Sequence, residues 1–291
     1  MKKIAIHGRQ IQENSRIDIK RLLKSLREKE SEVVLSESFV EANREFFDFH
    51  GFGSYAKQLD KNSVDCAFSL GGDGTLLETI THVGDTNIPI LGINTGRLGF
   101  LATIAKDTIS EAMDLLFSDQ FEVEERSLIQ LETPQSLFAP NNFALNEFAI
   151  LRKETSSMIT VTVYLNDEYL NTYWADGLMV STPTGSTGYS LSCGGPILMP
   201  SAKNFVITPV SPHNLNIRPM VIPDDVKLKF KIDSRETSLL ISLDSRSETI
   251  SHNLDLCISK APFSTKLIRL QGSTFIQTLR NKLGWGFDKR N

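Results

Sequence analysis

Residues 66–77, Cys-Ala-Phe-Ser-Leu-Gly-Gly-Asp-Gly-Thr-Leu-Leu, constrain this chain more than any other stretch. A compact apolar run ends in two glycines, a carboxylate and a third glycine, and a helical pattern follows over Thr75–Val83. A buried strand turning sharply into a helix belongs to an open α/β sheet, where ligands bind outside the carboxyl ends of the strands. Gly71, Gly72 and Gly74 carry no Cβ, so their backbone can lie close to a ligand. Thr75 is expected to cap the helix, whose free N–H groups favour phosphate. Asp73 would be repelled by phosphates unless it either accepts a proton from a hydroxyl or holds Mg²⁺ between phosphates.

The flanking pattern extends the same architecture. Lys3–His7, Glu32–Leu35 and Ile88–Ile93 read as strands; Ile17–Lys29 and Ser110–Phe117 read as helices. Such alternation argues for a parallel sheet with helices on both faces. Beyond about residue 121 the period becomes two, in Met158–Leu165, Lys227–Ile232 and Ser238–Leu243, with Asn166-Asp167 as a hairpin turn. No strong helical stripe returns until Thr274–Leu283. The expected fold is a Rossmann-like α/β domain with a parallel sheet over residues 1–120, then a mostly antiparallel β-sandwich domain over 121–265. Residues 266–291 are expected to pack back on the first domain. Pro134 and Pro140 bracket a polar stretch that reads as a mobile loop.

Composition narrows the function classes. With 31 Lys and Arg against 35 Asp and Glu, the formal net charge is −4. That balance offers no basic stripe for a nucleic-acid backbone, but it leaves room for a small anionic ligand. Three scattered cysteines and five histidines show neither CxxC nor HExxH spacing, so zinc and a disulfide framework are not expected. No apolar stretch approaches the ~20 residues of a membrane span. A cytoplasmic enzyme with no membrane partner is the expectation.

Two further segments carry chemistry. From Ser181 to Pro196 almost every residue is Ser, Thr, Gly or Pro. Such a loop reads as unable to form a core, and it offers hydroxyls and close-approaching amides to a polar nucleotide. Tyr189 within it can lie against an aromatic ring. Asn146 and Glu147 stand together at a strand edge; Asn donates and accepts while an ionised Glu only accepts, a pair suited to amino groups and hydroxyls.

Together, GGDGT at 71–75, LGINTGRLGFL at 91–101, NE at 146–147 and DGLMVSTPTGSTGYSLSCGGPI at 176–197 resemble the NAD kinase family in order and spacing. The resemblance runs from about residue 65 to 223. It implies Mg²⁺-dependent transfer of a phosphoryl group from ATP to the 2′-hydroxyl of the adenosine ribose of NAD, giving NADP and ADP. Carried onto this chain, it makes Asp73 the proton acceptor and sets Gly74 close to the nucleotide. Asn146 and Glu147 would bind polar edges of the dinucleotide. Thr187, Gly188, Tyr189 and Ser192, with Ser190 and Leu191 between them, would cradle the adenosine half. Asp176 would hold the nicotinamide end, which Ser211 would also line. The resemblance further implies a homo-oligomer, dimer or tetramer.

The chain departs from the family pattern at three points. Gly188 replaces a common Ala, a loss of one methyl that should be harmless. Trp174 stands where many members have Arg. Asp244-Ser245-Arg246 replaces Asp-Gly-Gln, and Arg246 reads as a solvated surface residue. Arg97, after the Ile88–Ile93 strand, is a weaker candidate for facing phosphates. The nearest alternatives are a diacylglycerol-type lipid kinase, whose GGDGTxNE differs at Leu77, and a nucleotide sensor that binds without catalysis.

Overall fold

The computed structural model describes residues 1–96, 98–153, 158–234, 238–251, 254–272 and 274–285. Two compact units emerge: residues 1–125 with 265–291, and residues 126–264.

In the first unit β1 (Lys3–Gly8), β2 (Glu32–Ser36), β3 (Gly53–Tyr55), β4 (Cys66–Leu70) and β5 (Ile90–Asn94) form a parallel sheet in the order β5-β4-β1-β2-β3. β4 and β5 are buried along their whole length, as parallel strands covered on both faces must be. The helices are α1 (Arg16–Glu28), α2 (Glu37–Asn43), α3 (Asp73–Val83) and α4 (Ile109–Phe117). α1 buries Ile19, Leu22, Leu23 and Leu26, the helical stripe that its spacing specifies. Their side chains join Ile4, Ile6, Leu35, Phe39, Phe68 and Leu91 in one core. A short β6 (Ile104–Ala105) pairs with β5.

The chain enters the second unit along β7 (Phe121–Glu132). Six antiparallel strands follow the order β14-β13-β12-β9-β16-β17: β9 is Glu147–Arg152, β12 Gly177–Ser181, β13 Asn204–Val210, β14 Met220–Pro223, β16 Leu239–Leu243 and β17 Arg246–Ile250. A second antiparallel layer runs β11 (Glu168–Ala175), β10 (Ile159–Leu165), β15 (Leu228–Asp233) and the start of β18 (Leu256–Leu270). β8 (Phe143–Ala144) pairs with β7. β15 alternates, with Leu228, Phe230 and Ile232 buried and its lysines out. Phe148 of one layer meets Phe230 of the other at 5.6 Å, inside a core shared by both layers. This is the expected β-sandwich, and Asn166 and Asp167 make its β10–β11 turn with φ of 48° and 70°, as a type I′ hairpin requires.

Two expectations are corrected. The helix after GGDG begins at Asp73 with Gly72 in the capping position; Thr75 is buried inside its first turn, and a Cβ on Gly71 would lie 2.2 Å from its Oγ1. The stretch after Pro134 is pinned rather than loose: Phe138 N–H donates to Glu248 Oε1 at 2.8 Å, and Leu137 and Phe138 pack on the core. Leu137 and Phe138 are apolar anchors within a polar-looking loop. The last helix, α5 (Phe275–Leu283), has Thr274 accepting from Gln277 N–H as its N-cap.

Candidate active site

The GGDG loop has a single carboxylate, and the fold holds it firmly. Asp73 Oδ2 accepts from Phe100 N–H at 2.8 Å, and Oδ1 accepts from Leu101 and Ala102 N–H at 3.0 Å each. Gly99 has to be glycine, because a Cβ there would fall 1.9 Å from Asp73 Oδ1. An ionised carboxylate has about four acceptor sites. With three amides bound, about one remains for a hydroxyl. The three loop glycines divide by role. Gly71 has no room for a Cβ, whereas Gly72 and Gly74 have no atom of the described residues within 4 Å of theirs. The bare, open backbone thus lies around Asp73 at the first turn of α3. Arg97 lies outside the described residues.

In the second unit the Asn146-Glu147 turn is clasped by Asp244. Asp244 Oδ2 accepts from Leu145 N–H at 2.9 Å, and Oδ1 from Asn146 at 2.7 Å and Glu147 at 3.2 Å. Burial pushes the Asp244 carboxyl up, although these three amides pull it down. Glu147 as a residue is half-buried, yet its Oε2 is sealed from solvent and has no hydrogen-bond partner among the described residues. Burial, helped by the nearby Asp244 charge, pushes Glu147 up to about 8. A carboxyl in that condition is mostly protonated at neutral pH, and its unpartnered oxygen leaves room for one further hydrogen bond.

The Ser181–Pro196 segment is not the core-free loop its composition suggests. Residues 181–186 are buried, and the hydroxyls of Thr182, Thr184 and Ser186 serve the chain itself. Thr182 Oγ1 donates to Leu145 O and accepts from Gly185 N–H; Ser186 Oγ donates to Pro183 O. A Cβ on Gly185 would lie 2.0 Å from Asn146 O, so this segment and the Asn146-Glu147 turn are packed backbone to backbone. Gly188, Tyr189 and Ser192 are exposed, with Thr187 and Leu191 partly so. A Cβ on Gly188 would sit 3.6 Å from Glu147 Oε2. The structure thus brings together Asn146, Glu147 and residues 187–189. Ser190 faces inward, its hydroxyl 2.9 Å from Thr208 Oγ1, so its side chain is structural.

Asp176 is ion-paired with Arg152 at 3.1 Å. Ser211 is exposed just after β13, with φ 46°. Trp174 is 49% exposed. Arg246 is not a solvated surface residue: it donates to Asn141 O and Phe143 O and lies 6.0 Å from the Phe138 ring. Sequence reasoning missed Asp244 and Arg152, and it misread Arg246. The one local signal was a short Asp-Ser turn between two alternating strands.

Comparisons with known proteins agree in both units. Residues 8–121 match the family model of the ATP-NAD kinase N-terminal domain, and residues 145–270 that of the C-terminal domain. The chain is 48% identical over 291 residues to an NAD kinase of Cytophaga hutchinsonii, covering 99% of each. It is 46% identical to an NAD kinase of Christiangramia forsetii, covering 99% of this chain and 100% of that one. A crystal structure of yeast NADH kinase complexed with NADH superposes with a TM-score of 0.85 at 21% identity, over 99% of this chain and 89% of that one. An NAD kinase from Archaeoglobus fulgidus in complex with ATP gives 0.75 at 24% identity, over 97% and 98%. By its family models and near-full-length relatives, this chain belongs to the NAD kinase family.

Proposed function

We infer that this chain is an NAD kinase, transferring the γ-phosphoryl group of ATP to the 2′-hydroxyl of the adenosine ribose of NAD to give NADP and ADP. The observation that carries the reading is that both family domains are present with the GGDG aspartate intact and its carboxylate positioned by three amides.

In this reading Asp73 uses its remaining acceptor site to orient the ribose hydroxyl and take its proton as the new P–O bond forms. Phosphoryl transfer passes through a loose transition state, so the proton leaves late and a weak base suffices. Gly72 and Gly74 let phosphate approach the backbone at the start of α3, where free N–H groups point outward. Asn146 and Glu147 bind the adenosine's polar edge, and a protonated Glu147 supplies a donor as well as an acceptor. Thr187, Gly188, Tyr189, Leu191 and Ser192 surround the same half of the dinucleotide, and Tyr189 stacks on its base. Asp176 and Ser211 serve the nicotinamide end. Mg²⁺ enters as part of the donor substrate, MgATP, and neutralises charge on its phosphates. We place the enzyme in the cytoplasm as a homo-oligomer; the exposed Met220 and Val221 on the edge strand β14 support self-association.

The test is incubation of the purified protein with NAD and MgATP, following NADP. Asp73→Asn should keep NAD affinity within a few-fold and lower turnover at least about a hundredfold. Its melting temperature must be measured alongside, because an amide at position 73 turns an N–H₂ group towards one of the three loop amides. Nucleotide binding without NADP would favour the sensor reading, and near-normal turnover in Asp73→Asn would remove Asp73 as the base.

A further inference from the structure

The strand order of the first unit marks a crevice. The chain builds β1, β2 and β3 outward in one direction, then crosses over to lay β4 and β5 on the other side of β1. The order reverses between β1 and β4, and ligands of open α/β sheets bind outside the carboxyl ends of the strands at such a point. One wall of this crevice is the end of β4, Leu70, followed by Gly71–Asp73. The other is the end of β1, Gly8, which pairs with Leu70 and is followed by Arg9.

Arg9 is held ready there. A Cβ on Gly8 would lie 2.8 Å from Leu70 O, so the two strand ends are in close contact. The buried Asn43 fixes the backbone after it, donating from Nδ2 to Arg9 O at 3.2 Å and accepting from Ile11 N–H at 2.8 Å. The Arg9 side chain itself is 66% exposed. Its Nε donates to Glu78 Oε2 at 2.9 Å. Glu78 lies four residues after Gly74 on α3, so both occupy one helix face about one turn apart. The guanidinium is therefore tied to a residue one helical turn from Gly74 of the glycine loop. The same Glu78 oxygen lies 3.6 Å from Nε2 of the buried His7, so the carboxylate keeps a neighbour when Arg9 swings away.

We propose that Arg9 is a substrate-binding residue for the phosphate chain of the donor, exchanging its ion pair with Glu78 for a charge-assisted contact to MgATP. This rests on the kinase reading for its ligand. Arginine suits the role because its planar fork matches phosphate oxygens. It supplies no bond-making step and adds only binding and orientation.

Arg9→Ala is expected to raise KM for MgATP about 10- to 100-fold, the range of a lost charge-assisted hydrogen bond, with KM for NAD within twofold. Arg9→Lys should fall between, keeping charge without the fork. Inhibition by inorganic tripolyphosphate should weaken by the same factor as MgATP in Arg9→Ala, because phosphates are what Arg9 reads. Glu78→Gln frees Arg9 and should leave KM for MgATP at or below the wild-type value. An unchanged KM for MgATP in Arg9→Ala would overturn the assignment. So would Glu78→Gln copying Arg9→Ala, since Arg9 would then act only by bracing α3. Calorimetric titration of the NAD-free protein with MgATP reads the same contact without turnover. Lost MgATP affinity in Arg9→Ala, in a wild type that makes no NADP, would overturn the kinase reading and support the phosphate contact.

Discussion

At the scale of single residues, two acids do different work with similar equipment. Asp73 and Asp244 each accept three backbone amides, but only Asp73 sits in a loop stripped of side chains. Glu147 is the third acid, and the fold changes its titration too. Its carboxyl is raised to about 8 in the folded chain, chiefly by burial, against an ordinary value of 4.5. The folded state therefore holds a proton that the unfolded chain releases, and the wild type loses stability as pH rises from about 4.5 to about 8. Glu147→Gln cannot ionise, so it should escape that loss. Melting curves across pH 5 to 8.5 should show the variant gaining on the wild type towards alkaline pH, by on the order of a few kcal/mol. Parallel curves would mean that Glu147 is not buried in the way described. Asp73 was legible in the sequence because a carboxylate among glycines has no packing role to explain it. Asp244 was not, because its partners lie 97 to 99 residues away, and no local pattern records such a contact. Arg246 was misread for the same reason: its carbonyl acceptors lie more than 100 residues earlier.

At the scale of elements, periodicity predicted what periodicity can. The alternating β10 and β15 and the stripe of α1 were readable because one buried face leaves a regular trace. The seven-residue α2 and the three-residue β3 were not readable, being too short to show a period. The Ser/Thr/Gly-rich segment shows the other limit: composition announced hydroxyls, but not that residues 181–186 turn theirs inward. Its glycines now separate into distinct kinds, which yields a paired prediction. Gly185→Ala drives a Cβ to 2.0 Å from Asn146 O, and the backbone of the Asn146-Glu147 turn has to move. The expected cost is about 1–3 kcal/mol or more in stability, with KM for NAD rising about tenfold or more. Gly188→Ala meets only a 3.2 Å approach to Gly185 O, at an ordinary φ of −93°. It should change stability by less than about 1 kcal/mol and KM for NAD by no more than a few-fold. Melting temperature and NAD kinetics on the two variants check both halves. Equal effects would mean that the close contact between the segment and the turn does not shape the binding surface.

For the whole molecule, the question is what the folded chain supplies by itself and what arrives with substrate. Each unit has its own apolar core. Among the described residues no three His, Cys, Asp or Glu side chains gather as a metal cage. Mg²⁺ at phosphoryl-transfer sites keeps several waters and binds through one or two carboxylates plus substrate phosphates, so the lack of a cage among the described residues is compatible with MgATP as the proposed donor. Chelation with excess EDTA should abolish NADP formation yet leave the melting temperature of the ligand-free protein unchanged. The chelated protein should still respond to NAD, which at a hundred times its dissociation constant adds about 2.7 kcal/mol of stability. Differential scanning calorimetry with and without EDTA, beside the product assay, separates the possibilities. If EDTA lowers the melting temperature of the ligand-free protein, the metal is a resident part of the fold, and its assignment to the donor substrate is wrong.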